Sequence, residues 1–121
     1  MKIRRKAVDF VLQAARNVYP AEFIGLLKPD TKGAITEVLL FPGTTFAHSF
    51  SAIDFLQVPI GQRYVGSVHS HPGWSNRPSA GDLRFFSHYG RMHLIICLPF
   101  DENSIAAYDN KGKPIELQIV D

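Results

Sequence analysis

The chain is poor in cysteine: Cys97 is the single thiol among its 121 residues. One cysteine excludes an intramolecular disulfide framework, a multi-cysteine zinc ribbon, and the Cys-x-x-Cys that zinc deaminases need. Long apolar runs are also missing. The longest, Leu94 to Phe100, falls well short of the ~18 residues of a membrane span, so no membrane partner is expected. Nor does one sign of charge dominate, with 13 Lys and Arg against 11 Asp and Glu. Lys2, Arg4, Arg5 and Lys6 crowd the start, but no basic stripe with interleaved aromatics follows, so no nucleic-acid partner is expected. Asp9, Gln13 and Arg16 interrupt the apolar stretch behind that basic start. It therefore reads as a solvated first helical turn rather than a signal peptide. Repeats, low-complexity tracts and Ser/Gly linkers are absent, as are a Walker A loop, GxGxxG and His-Glu-x-x-His.

What is there is an ordinary globular composition, 45% hydrophobic and 20% charged. A chain of this length is expected to form one domain, 1–121, burying roughly two-thirds of its unfolded surface. That core needs no disulfide, which fits a reducing cytoplasm.

Ile3, Ala7, Phe10, Ala14 and Val18 recur at helical spacing and predict an amphipathic helix over about residues 3–18, stopped by Pro20. Its apolar face is compatible with burial in the monomer or with pairing to a second copy. Glu22 to Leu27 reads as a strand with Glu22, Ile24 and Leu26 on one face. Pro29 to Gly33 is turn chemistry, and Ala34 to Phe41 completes a hairpin closed by Pro42-Gly43. A short helix is conceivable around Ile53 to Gln57. Arg63 to His71 is strand-like and ends at Pro72, Gly73 to Pro78 is loop, and Ser79 to Tyr89 is helical with Gly90 just beyond it. His93 to Leu98 is nearly all apolar, as in a central strand buried on both faces. After a turn at Asp101 to Asn103, Ser104 to Asp109 and Ile115 to Val120 read as a C-terminal hairpin. The order predicts an α/β fold, a mixed sheet covered by at least two helices.

One segment carries chemistry. His69-Ser70-His71-Pro72 is followed, after six residues, by Ser79-Ala80-Gly81-Asp82. Residues i and i+2 of a strand point to the same face, so the two imidazoles can converge on one ion. Asp82, in the first turn of the next helix, can fold back over the strand end. Two histidines and a carboxylate leave a tetrahedral position for water, the arrangement of a catalytic zinc. The same donors with open positions also suit a non-haem iron(II) site. Ser79-x-x-Asp82 has, equally, the spacing of a helix capping box, which needs no metal.

The joint pattern His-x-His-Pro-x(6)-Ser-x(2)-Asp resembles the signature of the JAMM (MPN-type) zinc metalloproteases, with each fixed position matched. Glu22, in Ala21-Glu22-Phe23-Ile24-Gly25-Leu26-Leu27, matches the family's upstream glutamate. The resemblance covers most of the chain and implies a minimal stand-alone domain. Its fold would be a mixed, curved β-sheet flanked by helices, an MPN-type (cytidine deaminase-like) sandwich. By the same resemblance His69, His71 and Asp82 hold one zinc ion per chain and Glu22 is the general acid/base. Ser79 then hydrogen-bonds the oxyanion. Ser70 fills the variable position and points to the opposite face, with no catalytic role.

The implied activity is hydrolysis of amide or isopeptide bonds in ubiquitin-like protein conjugates, after a C-terminal Gly-Gly. The alternative is a non-catalytic scaffold of the same fold that binds ubiquitin-like or partner proteins. Glu22 has a simpler reading as a solvent-facing strand-end carboxylate. Trp74 is open to two readings, a platform for a substrate tail or an anchor for its loop. Arg77 is either a substrate contact or a solvated charge. Cys97 reads as a small buried hydrophobe, and His48, His88 and His93 as structural.

Overall fold

A computed structural model describes residues 1–41 and 63–121. The conceivable helix around Ile53 to Gln57, the Pro42-Gly43 stop and His48 lie outside the described residues.

The chain opens with a strand, β1 (Lys2–Arg4), and enters helix α1 (Arg5–Val18) directly. Strands β2 (Ile24–Pro29) and β3 (Ile35–Phe41) form the expected hairpin. The site-bearing unit follows: β4 (Gly66–Ser70), α2 (Ala80–His88) and β5 (Met92–Ile96), the two strands parallel. A 3₁₀ turn (Glu102–Ser104) leads to β6 (Ile105–Tyr108), and β7 (Pro114–Ile115) and β8 (Gln118–Val120) finish the chain. Among the described residues all eight strands join one sheet in the order β7-β6-β5-β4-β2-β3-β1-β8. Strands β7 and β8 sit at opposite edges, yet only Glu116 and Leu117 separate them in sequence. The three Cα steps from Ile115 to Gln118 reach at most roughly 11 Å. The sheet must therefore curl until its edges nearly meet. The predicted fold class, a curved mixed sheet flanked by helices, holds.

Three expectations are corrected. Lys2 to Arg4 is a parallel strand beside β8 and β3, not the first turn of a helix. Three mostly charged residues carry no periodicity to reveal it. The helix buries Ala7, Val8, Val11, Leu12 and Ala15, while Phe10 is 47% exposed. Both stripes satisfy helical spacing, and the one with more branched aliphatic bulk faces the core. The last stretch is not one hairpin strand: β7 pairs with β6, and β8 crosses to β1.

The sheet lies between two cores. On one side α1 packs with Leu27, Ile35, Val68, Leu94 and Ile96. On the other, Phe85 and Phe86 of α2 pack with Ile24, Leu26, Ile95 and Tyr108. Alternation along each strand assigns the faces. His69 and His93 share the α2 side with Ile24 and Ile95. Buried His93 stacks on Phe86 at 4.2 Å, and its Nε2–H donates to the Gly90 carbonyl at 3.2 Å. Its Nδ1 must then accept from the Ser67 hydroxyl, 2.7 Å away, which fixes a neutral tautomer. Helix α2 returns close to the start of β4, where a side chain on Gly66 would collide with the Met92 carbonyl and one on Gly90 with the Val65 carbonyl. Gly90 also has φ +88°, a region that favours glycine.

Gly66→Ala is expected to destabilise the fold by at least about 2–3 kcal/mol in urea unfolding, because backbone carbonyl cannot yield as a side chain can. Burial pushes His93 down to about 4. At and above pH 6.5 neither native nor unfolded His93 is mostly charged, and its contribution is present. As pH falls from 6.5 to about 4 only the unfolded chain takes the proton, so stability drops, by roughly 2–4 kcal/mol. His93→Gln should flatten that part of the stability–pH curve, measured on metal-free protein.

Candidate metal centre

The centre forms where β4 ends and α2 begins. His69 is the penultimate residue of β4, and His71 lies just past the strand, its N–H bonded to the Ile96 carbonyl at 2.8 Å. The i, i+2 relation survives the strand end, so both imidazoles face α2. Asp82 arrives from the third position of the helix. Its Oδ1 lies 3.1 Å from His69 Nε2 and its Oδ2 lies 3.2 Å from His71 Nε2. The two Nε2 atoms are 3.2 Å apart. Among the described residues these three form the metal-competent cluster, with ligand atoms all within 4.8 Å of one another.

The donor set suits a metal ion. The Ser75 carbonyl, 2.9 Å from His71 Nδ1, can only accept, so Nδ1 carries hydrogen and neutral His71 turns its Nε2 lone pair to the gap. There it meets Asp82 Oδ2, another lone pair. The gap therefore calls for positive charge, a proton or a metal. The edge of a tetrahedron with zinc bonds of about 2.0–2.1 Å is roughly 3.3–3.4 Å. The observed separations of 3.1–3.2 Å fall just inside it. Without a metal a proton takes that place: burial would raise the Asp82 carboxyl, but hydrogen bonds donated by His69 and by protonated His71 outweigh it and hold the group well below the usual carboxylate range. The bond to Asp82 in turn raises His71, against the effect of its partial burial.

The capping box is present as well: Asp82 N–H donates to Ser79 Oγ (3.1 Å) and Ser79 N–H donates to Asp82 Oδ2 (2.8 Å). Cap and metal site are thus not alternatives. The box orients the carboxylate, leaving Oδ1 and the remaining lone pair of Oδ2 for the gap. The bond also settles what Ser79 can do, since its hydroxyl spends a lone pair on the cap and keeps its own proton for donation.

A cavity of about 460 Å³ opens over the cluster, lined by Glu22, His69, His71, Trp74, Ser79 and Asp82 among others. All five residues singled out for the site thus meet there. Glu22 does so from the coil before β2, whose pairing starts at Ile24, rather than from within the strand. Ser70 does point to the other face, yet it has a task that its variable position in the motif hides. Its Oγ accepts the Phe23 N–H at 3.0 Å, and its own N–H donates to the Phe23 carbonyl at 3.1 Å. The chain beside Glu22 is so fixed to the end of β4. Trp74 is 75% exposed. Cys97 is buried, with its thiol pushed up by desolvation, and His88 is exposed and bonded to the Arg84 carbonyl.

Comparison with known proteins agrees with this geometry. The model for prokaryotic homologues of the JAB domain matches residues 4–111. A Haloferax volcanii protein named as a probable metalloprotease is 35% identical over 128 residues, covering 98% of this chain and 79% of that protein. A JAB1/MPN domain protein from Archaeoglobus fulgidus superposes with a TM-score of 0.82 at 38% identity, each chain covered in full. A structure described as a JAMM metalloprotease-like zinc site in the proteasome and signalosome gives a TM-score of 0.80 at 36% identity, covering 100% of this chain and 98% of that one. With the signature residues gathered at one cavity and the matches running nearly end to end, the chain belongs to the JAB/MPN family of JAMM metalloprotease-like domains.

Proposed function

We propose that residues 1–121 act as one zinc-dependent hydrolase domain for amide or isopeptide bonds. Its substrates would be ubiquitin-like proteins conjugated after a C-terminal Gly-Gly, as in deubiquitinase-type chemistry. The observation that carries this reading is the convergence of two imidazole nitrogens and a carboxylate at 3.1–3.2 Å on the floor of a cavity. Glu22 and Ser79 stand on the walls of that cavity.

His69, His71 and Asp82 would hold one zinc ion, which would supply a bound water made far more acidic than bulk water, with a pKa of about 7. The Glu22 carboxylate takes up the proton released in the attack and returns it to the departing amine. Ser79 Oγ–H donates to the scissile carbonyl oxygen as it gains charge. Ser70, through Phe23, keeps Glu22 at its distance from the histidines. Trp74 offers an exposed ring at the cavity lip, a flat apolar platform for an extended, glycine-ended tail. Among the described residues no helix is long and apolar enough to cross a membrane.

Zinc content and cleavage of ubiquitin-like fusions ending in Gly-Gly test the reading together. Wild type should carry one zinc. His71→Ala and Asp82→Ala should lose it, while Glu22→Gln should keep it and lose about 10²–10⁴ in kcat. Zinc-loaded wild type that leaves every fusion intact would instead favour a binding scaffold. In the same assay Trp74→Ala should leave zinc and Tm unchanged and raise KM about tenfold.

A further inference from the structure

The loop between His71 and Ser79 has no regular structure, yet its middle is tied to a wall formed after β5. Leu98 N–H donates to the Gly73 carbonyl at 2.9 Å. Asn76 is held twice: its Nδ2 donates to the Ser104 carbonyl at 3.1 Å, and its own carbonyl accepts the Tyr108 hydroxyl at 2.8 Å. Both partners belong to packed parts of the fold. Ser104 is buried in the 3₁₀ turn, where its carbonyl also accepts Cys97 N–H at 3.2 Å and its hydroxyl donates to the Asp101 carbonyl at 2.7 Å. Tyr108 is buried in the core beside Phe86, ring centres 6.2 Å apart. Trp74 and Arg77, on either side of this segment, are exposed.

The Ser75 carbonyl and the Asn76 N–H belong to one planar peptide unit. Only one backbone rotation, φ of Asn76, therefore separates the Ser75 carbonyl, the acceptor for His71 Nδ1, from the two held groups of Asn76. We propose that Asn76 and Tyr108 are positioning residues of the metal site, holding the loop so that Ser75 keeps the His71 imidazole in the tautomer and orientation that present Nε2 to Asp82 and His69. The inference rests on the zinc reading above and extends it to two residues outside the signature. Without the clamp the loop keeps the Leu98–Gly73 and Arg77–Ser75 bonds but loses its hold on Asn76, so the acceptor of the Nδ1–H is less firmly placed and His71 spends part of its time rotated from the gap.

The test compares wild type, Asn76→Ala, Tyr108→Phe, the double variant, and Arg77→Ala as a loop control. Zinc dissociation constants are measured by chelator competition, and the visible absorption of cobalt(II)-loaded protein reports ligand geometry. Unfolding of the metal-free proteins is followed separately. The clamp variants should fold, bind zinc about tenfold more weakly, within the 10–100-fold range of lost outer-shell partners, and show altered cobalt bands. Arg77→Ala should match wild type. If Asn76→Ala does not fold, Tyr108→Phe decides, since it removes one oxygen from a ring that stays packed. Zinc affinity within twofold of wild type and unchanged cobalt bands, whatever the loss of metal-free stability, would overturn the inference alone. A wild type that takes up no zinc would overturn the underlying reading and the inference with it.

Discussion

Two imidazole nitrogens and two carboxylate oxygens share one small gap, and the local architecture is arranged to keep them there. Left to themselves, the lone pairs of His71 Nε2 and Asp82 Oδ2 repel at 3.2 Å. Only positive charge in the gap reverses the sign. Holding such groups together before that charge arrives costs stability, and the surrounding structure supplies it. Helix α2 contributes through its cap, which binds the Asp82 carboxylate to the Ser79 backbone. The loop contributes the Ser75 carbonyl that turns His71. The sheet contributes the fixed two-residue spacing of the histidines.

The fold places this gap at the C-terminal end of a strand and the N-terminal end of the helix that follows, the usual position of sites in open α/β sheets. The helix side of the sheet is polar near the gap and apolar behind it. His69, Phe86 and His93 form a graded series there, from the cavity floor to a neutral core histidine stacked on phenylalanine. On the opposite face Ser70 fastens the chain beside Glu22. A strand of five buried residues thus carries His69 on the face toward the cavity and, through Ser70 on its other face, fixes the chain beside the proposed proton carrier.

Much of the site was legible in the sequence because its spacing is local. His69 and His71 need only strand periodicity, and Ser79 with Asp82 only a helix start. The hairpin of β2 and β3 and the buried run of β5 were readable for the same reason. What escaped depends on distant partners. Three residues around Ile3 become a strand only because β8 lies beside them, and the break between β7 and β8 shows only once the sheet has curled. The inward face of α1 was read a residue out of phase, since two stripes fit the period and the sheet selects one. Asn76 and Tyr108 carry no motif, and their link spans 32 positions. Cap and proposed ligand are compatible in Asp82, since Oδ2 takes the cap bond and both oxygens still face the gap.

The curl of the sheet orders the events of folding. Strand β1 finds its partners in β3 and β8, so its register of Lys2 to Arg4 with Gln118 to Val120 closes a loop almost as long as the chain. Such a loop is entropically slow to close. The β4–α2–β5 unit, by contrast, joins neighbours in sequence and includes His69, His71 and Asp82. The proposed metal ligands and the closing edge therefore depend on contacts of very different sequence separation.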